Sequence, residues 1–218
     1  MMNPNPIQII RKLSREIKPD PSSCDPVLPG LPGIKAVIFD VYGTLFTSSR
    51  DLLPDGPRAE NLLRSILHDH GIRPPDGKTA LTTRLHDLIR REHATDSGRG
   101  IPFPEVEIRD LWSELLDHPP DALLEDIALR YECGMNPVWP MPGAAELLTA
   151  LRARGLSLGI VSNAQFYTPW LFPALLGREL PDLGFTSHLC LFSYQHGVAK
   201  PGAALYRILR ERLEQQGL

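Results

Sequence analysis

The hydrophobic and polar positions of the chain follow two different periodicities. Short runs that are apolar at consecutive positions occur at residues 36–39, 156–163 and 188–193, and they end in small or charged residues. Such runs are typical of strands buried on both faces of a parallel sheet. From about residue 51 to residue 132, apolar residues recur instead at helical spacing. The pattern therefore predicts a parallel sheet whose chain is interrupted by a helical region after the first strand.

Four apolar stripes at helical spacing occupy this interruption, and prolines separate them. The stripes are Leu62, Leu63, Ile66 and Leu67; Leu81, Leu85, Leu88 and Ile89; Ile108, Leu111, Trp112 and Leu115; and Leu123, Leu124, Ile127 and Tyr131. Four amphipathic helices with short connections can bury such stripes in a small bundle. We expect further helices at residues 6–17, from Pro142, and from Pro201 to Gln216, with proline at the first helical position of the last two.

The composition is that of an ordinary globular protein. The 218 residues carry a formal charge of -3, and 42% of them are hydrophobic, so no basic face for nucleic acid is indicated. No apolar run approaches the roughly 18 residues that span a bilayer, and no signal peptide is recognised. Cys24, Cys133 and Cys190 lack the spacing of a zinc site or a disulfide framework. We expect a cytoplasmic protein without nucleic-acid or membrane partners, and its oligomeric state stays open.

Polar residues stand where each predicted strand ends or the last helix begins. Asp40 ends the first apolar run, Ser162 and Asn163 end the second, and Lys200 precedes Pro201. Ligands of open α/β sheets bind beyond the carboxyl ends of the strands, so these side chains can meet at one edge. Taken alone, an Asp at such a position is as often a turn residue as a functional one.

In this order, these residues resemble the motifs of the haloacid dehalogenase-like hydrolase superfamily. Residues 40–44, with Asp40, Gly43 and Thr44, match its first motif; Ser162 matches the second, and Lys200 followed by Pro201 matches the third. The resemblance runs from about residue 34 to the end. It implies an α/β fold with a doubly wound parallel-sheet, Rossmann-like core and an inserted α-helical cap.

The resemblance also implies a division of the chain into three parts. Residues 1–33 would form an N-terminal helix and a Pro-rich linker. Residues 34–50 and 135–218 would form the α/β core, and residues 51–134 would form a cap that closes over the site.

In the family, the first-motif Asp is a nucleophile that forms a covalent intermediate, which water then cleaves. The resemblance implies that Asp40 has this role and that Lys200, at a helix start, offsets the negative charge. The implied catalytic residues are Asp40, Thr44, Ser162, Asn163 and Lys200, and the implied substrate-binding residues are Tyr42, Gly43, Ser162 and Asn163. The substrate would be a small anion. The resemblance favours a phosphate ester, because small phosphate esters are the usual substrates of the superfamily.

Tyr42 departs from the phosphatase pattern of the family. In the phosphatases a second Asp occupies this position and acts as general acid and base for the leaving group. A phenol, with a pKa near 10, is a poor substitute for that Asp. The dehalogenases of the family have a Tyr here, and Tyr206 also fits their pattern, whereas their Trp- and Arg-rich cap stretch is missing. Carbon–halogen hydrolysis is therefore the alternative activity.

A second departure concerns the cofactor, Mg²⁺. Asp40 and the backbone carbonyl of Tyr42 match two family ligands, but the acidic strand end that supplies another is missing. The acids after Lys200 are Glu211 and Glu214, both inside the predicted last helix. We expect weak Mg²⁺ binding by this chain alone, an edge position for the strand ending at Asp40, and a truncated chain as the simplest explanation. An incomplete, catalytically weak module is the alternative outside the enzymes.

Overall fold

Strands and helices alternate along the chain, as the apolar pattern predicts. A computed structural model describes residues 5–20, 25, 27, 30–48, 56–75 and 77–218. The helices there are α1 (Pro6–Leu13), α2 (Pro57–Asp69), α3 (Leu81–Gly98), α4 (Ile108–Leu115), α5 (Asp121–Met135), α6 (Ala144–Ala153), α7 (Leu171–Leu175) and α8 (Ala204–Gln215). The strands are β1 (Ala36–Phe39), β2 (Phe46–Ser48), β3 (Val138–Pro140), β4 (Ser157–Ser162) and β5 (Phe185–Phe192). Single 3₁₀ turns lie at Thr168–Trp170 and Ser193–Gln195.

Three parallel strands form the main sheet in the order β1-β4-β5. Phe39 of β1 lies beside Ile160 of β4, and Ile160 lies beside Cys190 of β5. The carboxyl ends of all three strands therefore share one end of the sheet. Within the described residues β1 is an edge strand, which is the position expected for it from the sequence.

Helices cover both faces of this sheet. On one face, Ile160 packs in a cluster with Leu148 of α6 and Ile10 of α1. On the other face, Val161 packs with Leu205 of α8. Successive residues of β4 thus enter opposite apolar layers, which explains why its sequence is apolar without alternation. The α/β fold class with a doubly wound parallel sheet is confirmed.

Helix α1 is shorter than the predicted residues 6–17. Ser14 has an extended backbone, and its N–H closes the helix by donating to the Ile10 carbonyl. Ser often ends helices because its side chain competes with the helical hydrogen bonds. Ile9 and Ile10 are buried in the main cluster, and the Arg11 side chain donates to the Ala174 carbonyl at 2.7 Å. The helix therefore packs on the core, as expected.

Helices α2 to α5 form a second apolar cluster. Trp112 of α4 is fully buried in it, together with Leu63 of α2, Leu85 of α3 and Ile127 of α5. The four predicted stripes therefore do form helices that pack on one another. Residues 51–55 and 76 of the proposed cap lie outside the described residues.

A two-stranded antiparallel ribbon, not predicted from the sequence, connects the helices with the sheet. Phe46 of β2 lies opposite Pro140 of β3, and Ser48 lies opposite Val138. The chain therefore leaves the sheet region and returns to it along adjacent strands. Strands of three residues are too short for an alternating pattern to be recognised, and Pro140 argues against a strand by composition.

Two predicted boundaries are also wrong. Strand β5 begins at Phe185, before the predicted residue 188. Ser187 and His188 are exposed within it. The first residues of the strand therefore do not belong to a continuous apolar run. Helix α6 begins at Ala144 after Gly143, which has a left-handed backbone, and not at Pro142.

None of the described helices is both long and apolar enough to cross a membrane. Cys133 and Cys190 are free and buried, and burial raises the pKa of each thiol to about 12. Cys24 lies outside the described residues. The cytoplasmic location stays a prediction.

Candidate active site

A tight turn after β1 places Asp40 at the carboxyl end of the sheet. The N–H groups of Leu45 and Phe46 donate to the Val41 carbonyl at 2.9 and 3.0 Å, and the Gly43 N–H donates to the Phe46 carbonyl at 2.7 Å. Gly43 has a φ of 79°, which glycine adopts without steric cost. The Gly-Thr pair of the motif therefore turns the chain away immediately after the carboxylate.

Both oxygens of the Asp40 carboxylate have partners. Oδ1 accepts from the Val41 N–H at 2.8 Å, and Oδ2 forms an ion pair with Lys200 Nζ at 2.8 Å. The Asp40 side chain is 38% exposed and that of Lys200 is 18% exposed. The carboxylate is thus open to solvent while facing a more enclosed cation, and this arrangement lowers the repulsion that an incoming anion meets.

Lys200 lies in a turn and not at a helix start. Helix α8 begins at Ala204, the Gly202 N–H donates to the Ala199 carbonyl at 3.0 Å, and the peptide bond before Pro201 is cis. The prediction that Pro201 opens the last helix is wrong because the Pro-Gly pair forms a turn of its own. The expected stabilisation of Lys200 by a helix dipole is therefore wrong.

The side chain of Asn163 holds the backbone of Lys200 from both sides. The Lys200 N–H donates to Asn163 Oδ1 at 2.7 Å, and Asn163 Nδ2 donates to the Lys200 carbonyl at 3.0 Å. Asn163 directly follows β4, so this amide ties the end of β4 to the turn that carries the cation. A substrate contact by Asn163 stays a prediction.

Ser162 and Thr44 lie at the same end of the sheet as Asp40. Ser162 is fully buried, and its hydroxyl donates to the Asn163 carbonyl at 3.3 Å. Thr44 is exposed in the turn after Asp40, where its N–H donates to the Val41 carbonyl at 3.3 Å. Their roles in substrate binding stay predictions.

The side chain of Tyr42 is turned into the protein interior. Its hydroxyl shares a hydrogen bond of 3.0 Å with Thr168 Oγ1, and its ring packs against the main apolar cluster. Burial raises the pKa of Tyr42 well above its ordinary value. A phenol in this position stays protonated at neutral pH and is a still poorer acid–base catalyst than a free tyrosine.

The residues at this site do not by themselves fit a Mg²⁺ ion. Asp40 supplies one carboxylate, and both of its oxygens are engaged. In the part of the chain that the structure describes, no group of three or more His, Cys, Asp or Glu side chains could hold a metal. Mg²⁺ prefers six oxygen ligands in octahedral geometry.

The sequence analysis did not identify three polar residues near the loop that follows β4: Glu105, Gln165 and Ser193. The Ser193 hydroxyl donates to Glu105 Oε2 at 2.8 Å, and Gln165 Nε2 donates to the Val106 carbonyl at 3.0 Å. Glu105 lies in the irregular segment between α3 and α4, where no periodicity or motif marks it.

Comparisons with known proteins agree with this geometry at the level of the family. A sequence profile described as haloacid dehalogenase-like hydrolase matches residues 34–217, a range that includes Asp40, Ser162 and Lys200. A search among curated proteins gives no match.

The solved structures that match include a dehalogenase, a protein in complex with phosphate and a putative hydrolase bound to magnesium. The L-2-haloacid dehalogenase from Xanthobacter autotrophicus with covalently bound chloropropionic acid is 22% identical, with 83% of this chain and 65% of that chain covered and a TM-score of 0.42. CbbY from Rhodobacter sphaeroides in complex with phosphate is 16% identical, with 83% and 73% covered and a TM-score of 0.44. The putative hydrolase YfnB from Bacillus subtilis, bound to magnesium, is 21% identical, with 82% and 72% covered and a TM-score of 0.36.

The profile match covers well over half of the chain and contains the residues that meet at the end of the sheet. The protein therefore belongs to the haloacid dehalogenase-like hydrolases.

Proposed function

We propose that the protein hydrolyses a small anionic substrate, a phosphate ester, through a covalent intermediate at Asp40. The observation that carries this proposal is the ion pair of 2.8 Å between Asp40 and Lys200. It joins a solvent-accessible carboxylate at the carboxyl end of the parallel sheet to a cation from a distant part of the chain. Binding sites of open α/β sheets lie at this end.

The reaction has two steps. In the first, an oxygen of Asp40 attacks phosphorus while the bond to the leaving-group oxygen breaks, and the leaving group takes its proton from water. In the second, water attacks the phosphorus of the aspartyl phosphate, which releases phosphate and restores the carboxylate. The ammonium of Lys200 stabilises the negative charge on the transferring group in both steps.

Carbon–halogen hydrolysis is the second candidate, and the interior position of Tyr42 favours it. In this reaction Asp40 attacks the carbon that bears the halogen, and halide leaves without a proton. Water then attacks the carbonyl carbon of the resulting ester and releases the hydroxy product. Because halide leaves without a proton, this reaction needs no acid at residue 42.

We also propose that residues 51–134 act as a cap over the site. The separate apolar cluster of α2 to α5 and the two adjacent strands of the β2-β3 ribbon support this division. Residues 1–33 then add a helix that packs on the core formed by residues 34–50 and 135–218.

The experiment that tests the function is a screen of phosphate esters and 2-haloacids, with and without Mg²⁺, on the wild type and Asp40→Asn. We expect kcat to fall by about 10⁴-fold or more in this variant, as for other nucleophile substitutions. Asp182→Asn makes the same change at an exposed position of the core and should keep wild-type activity.

Turnover that survives Asp40→Asn would exclude Asp40 as the nucleophile. A folded wild type that turns over no substrate under any condition would favour the incomplete module. Activity that requires Mg²⁺ would show that the metal has ligands beyond Asp40 and the Tyr42 carbonyl.

A further inference from the structure

The segment between α3 and α4 is attached to the turn that carries Lys200. The Glu105 N–H donates to the Gly197 carbonyl at 3.1 Å, and the Ala199 N–H donates to the Phe103 carbonyl at 2.8 Å. These bonds flank an antiparallel bridge between Pro104 and Val198. A short piece of the helical half of the protein therefore runs beside the residues that immediately precede Lys200.

The same segment packs on the residues that follow Lys200. A Cβ atom on Gly202 would lie 2.9 Å from the Ala199 carbonyl oxygen and 3.2 Å from Cδ2 of Phe103. Phe103 itself has a φ of 56°, an uncommon conformation for a residue other than glycine that persists only where its surroundings fix it. The turn around Lys200 is thus held on both sides by one segment.

The Glu105 side chain begins a hydrogen-bonded chain that ends at Lys200. Glu105 Oε2 accepts from the Ser193 hydroxyl at 2.8 Å, and Ser193 Oγ accepts from the Ala164 N–H at 2.9 Å. Ala164 follows Asn163, whose amide holds the Lys200 backbone at 2.7 and 3.0 Å. Ser193 is fully buried, and its hydroxyl also lies 3.3 Å from the Ala164 carbonyl oxygen.

The second oxygen of Glu105 is also fixed. Oε1 accepts from the Val106 N–H at 3.0 Å and from Gln165 Nε2 at 3.4 Å. The Gln165 side chain in turn donates to the Val106 carbonyl and accepts from the Ile108 N–H. Donors thus approach both oxygens of Glu105, and an ionised carboxylate accepts from all of them.

We propose that Glu105 is a positioning residue that sets Lys200 against Asp40 from the helical half of the molecule. The proposal rests on the function proposed above, in which Lys200 acts on the substrate. Glu105 acts through Ser193, Ala164 and Asn163. A displacement of a catalytic cation by an ångström or less is enough to lower the rate of the chemical step while substrate binding persists.

Glu105→Ala tests this role, because it removes both acceptor oxygens and leaves Ser193 Oγ with the Ala164 backbone alone. The first readout needs no substrate: the NMR signal of the Lys200 side-chain amine, assigned by its loss in Lys200→Arg. We expect this signal to shift in Glu105→Ala and kcat to fall by about 10- to 100-fold with KM nearly unchanged. Glu211→Ala, the same change at an exposed position of α8, should leave both as in the wild type.

Ser193→Ala removes the next link of the chain and should have the same two effects. The double variant Glu105→Ala/Ser193→Ala should be no worse than the stronger single variant, because residues that act along one network are not additive. Additive effects on kcat would mean that Glu105 acts by a separate route.

A folded Glu105→Ala whose Lys200 signal keeps its wild-type position would overturn the proposal. If Glu105→Ala does not fold, the same criterion applies to Glu105→Asp, which withdraws the carboxylate by one methylene. A shifted Lys200 signal in a protein without any turnover would sustain the positioning role and contradict the proposed function, so the two failures are distinguishable.

Discussion

The chemistry at the scale of single residues depends on Tyr42 as much as on Asp40. The Tyr42 hydroxyl is bonded to Thr168, and burial raises its pKa well above the ordinary value. Tyr42, two positions after Asp40, is therefore poorly suited to protonate a leaving group. General acid catalysis typically raises the rate by about 10²- to 10⁴-fold. Without it, kcat/KM should depend strongly on the leaving group.

We expect aryl or acyl phosphates to react about 10² to 10⁴ times faster than alkyl phosphates, as measured by kcat/KM. Tyr42→Phe should keep this ratio, because the phenol takes no part in proton transfer, and should lower the free energy of unfolding by about 1 kcal/mol through the lost hydrogen bond. Alkyl and aryl esters of equal reactivity would show that another group protonates the leaving oxygen.

The sequence was sufficient to predict the residues that end strands. Asp40 and Asn163 follow apolar runs, and parallel strands bring such positions to one end of the sheet. Glu105 could not be predicted in this way, because its place beside Ser193 depends on how the segment between α3 and α4 folds back. The interior orientation of Tyr42 was not predictable either, since its partner Thr168 is distant in sequence.

At the scale of elements, α5 places the carboxyl group of Glu132 beside the side chains of Trp112 and Tyr167. Glu132 of α5 has its pKa raised from 4.5 to about 7 by burial, and the pKa values of Tyr42 and Tyr167 respond to its charge. Below pH 4.5 the group is neutral in both the folded and the unfolded chain. As the pH rises toward 7 the unfolded chain ionises first, so the stability that the protonated group contributes is lost.

Glu132→Gln should therefore stabilise the protein at pH 8.5 and have little effect at pH 4. The expected gain in the free energy of unfolding at the higher pH is about 1 to 3 kcal/mol, from about 1.4 kcal/mol for each unit of pKa shift. Urea unfolding at both pH values measures this difference, with Glu211→Gln as the exposed control. An equal effect of Glu132→Gln at the two pH values would mean that Glu132 keeps an ordinary pKa in the folded chain.

The elements themselves were predictable to different extents. Long helices such as α2 and α5 carry enough apolar positions to define a stripe, and they were predicted from that stripe. The β2-β3 ribbon has three residues in each strand, which is too few for a pattern. The start of α8 was missed because Pro201 suits a helix start and a turn equally, and only the contacts of the Lys200 turn decide between them.

At the scale of the whole molecule, the main apolar cluster meets the cluster of the helical half at one end of the parallel sheet. The main cluster contains one face of the sheet and α1, and the other contains α2 to α5. Phe166 belongs to the second cluster although it directly follows Gln165 in the loop after β4. The helical half therefore touches the loops that carry the site, and this contact allows one half to influence the geometry of the other.

Rapid-quench mass spectrometry can detect the covalent bond between Asp40 and the substrate. Enzyme in excess is mixed with p-nitrophenyl phosphate or 2-chloropropionate and stopped in acid, and the peptide that contains Asp40 is analysed. We predict an adduct on Asp40 that forms and decays at the rate of turnover and is absent from Asp40→Asn. Product formation while the Asp40 peptide stays unmodified at every time point would show that the reaction does not pass through Asp40.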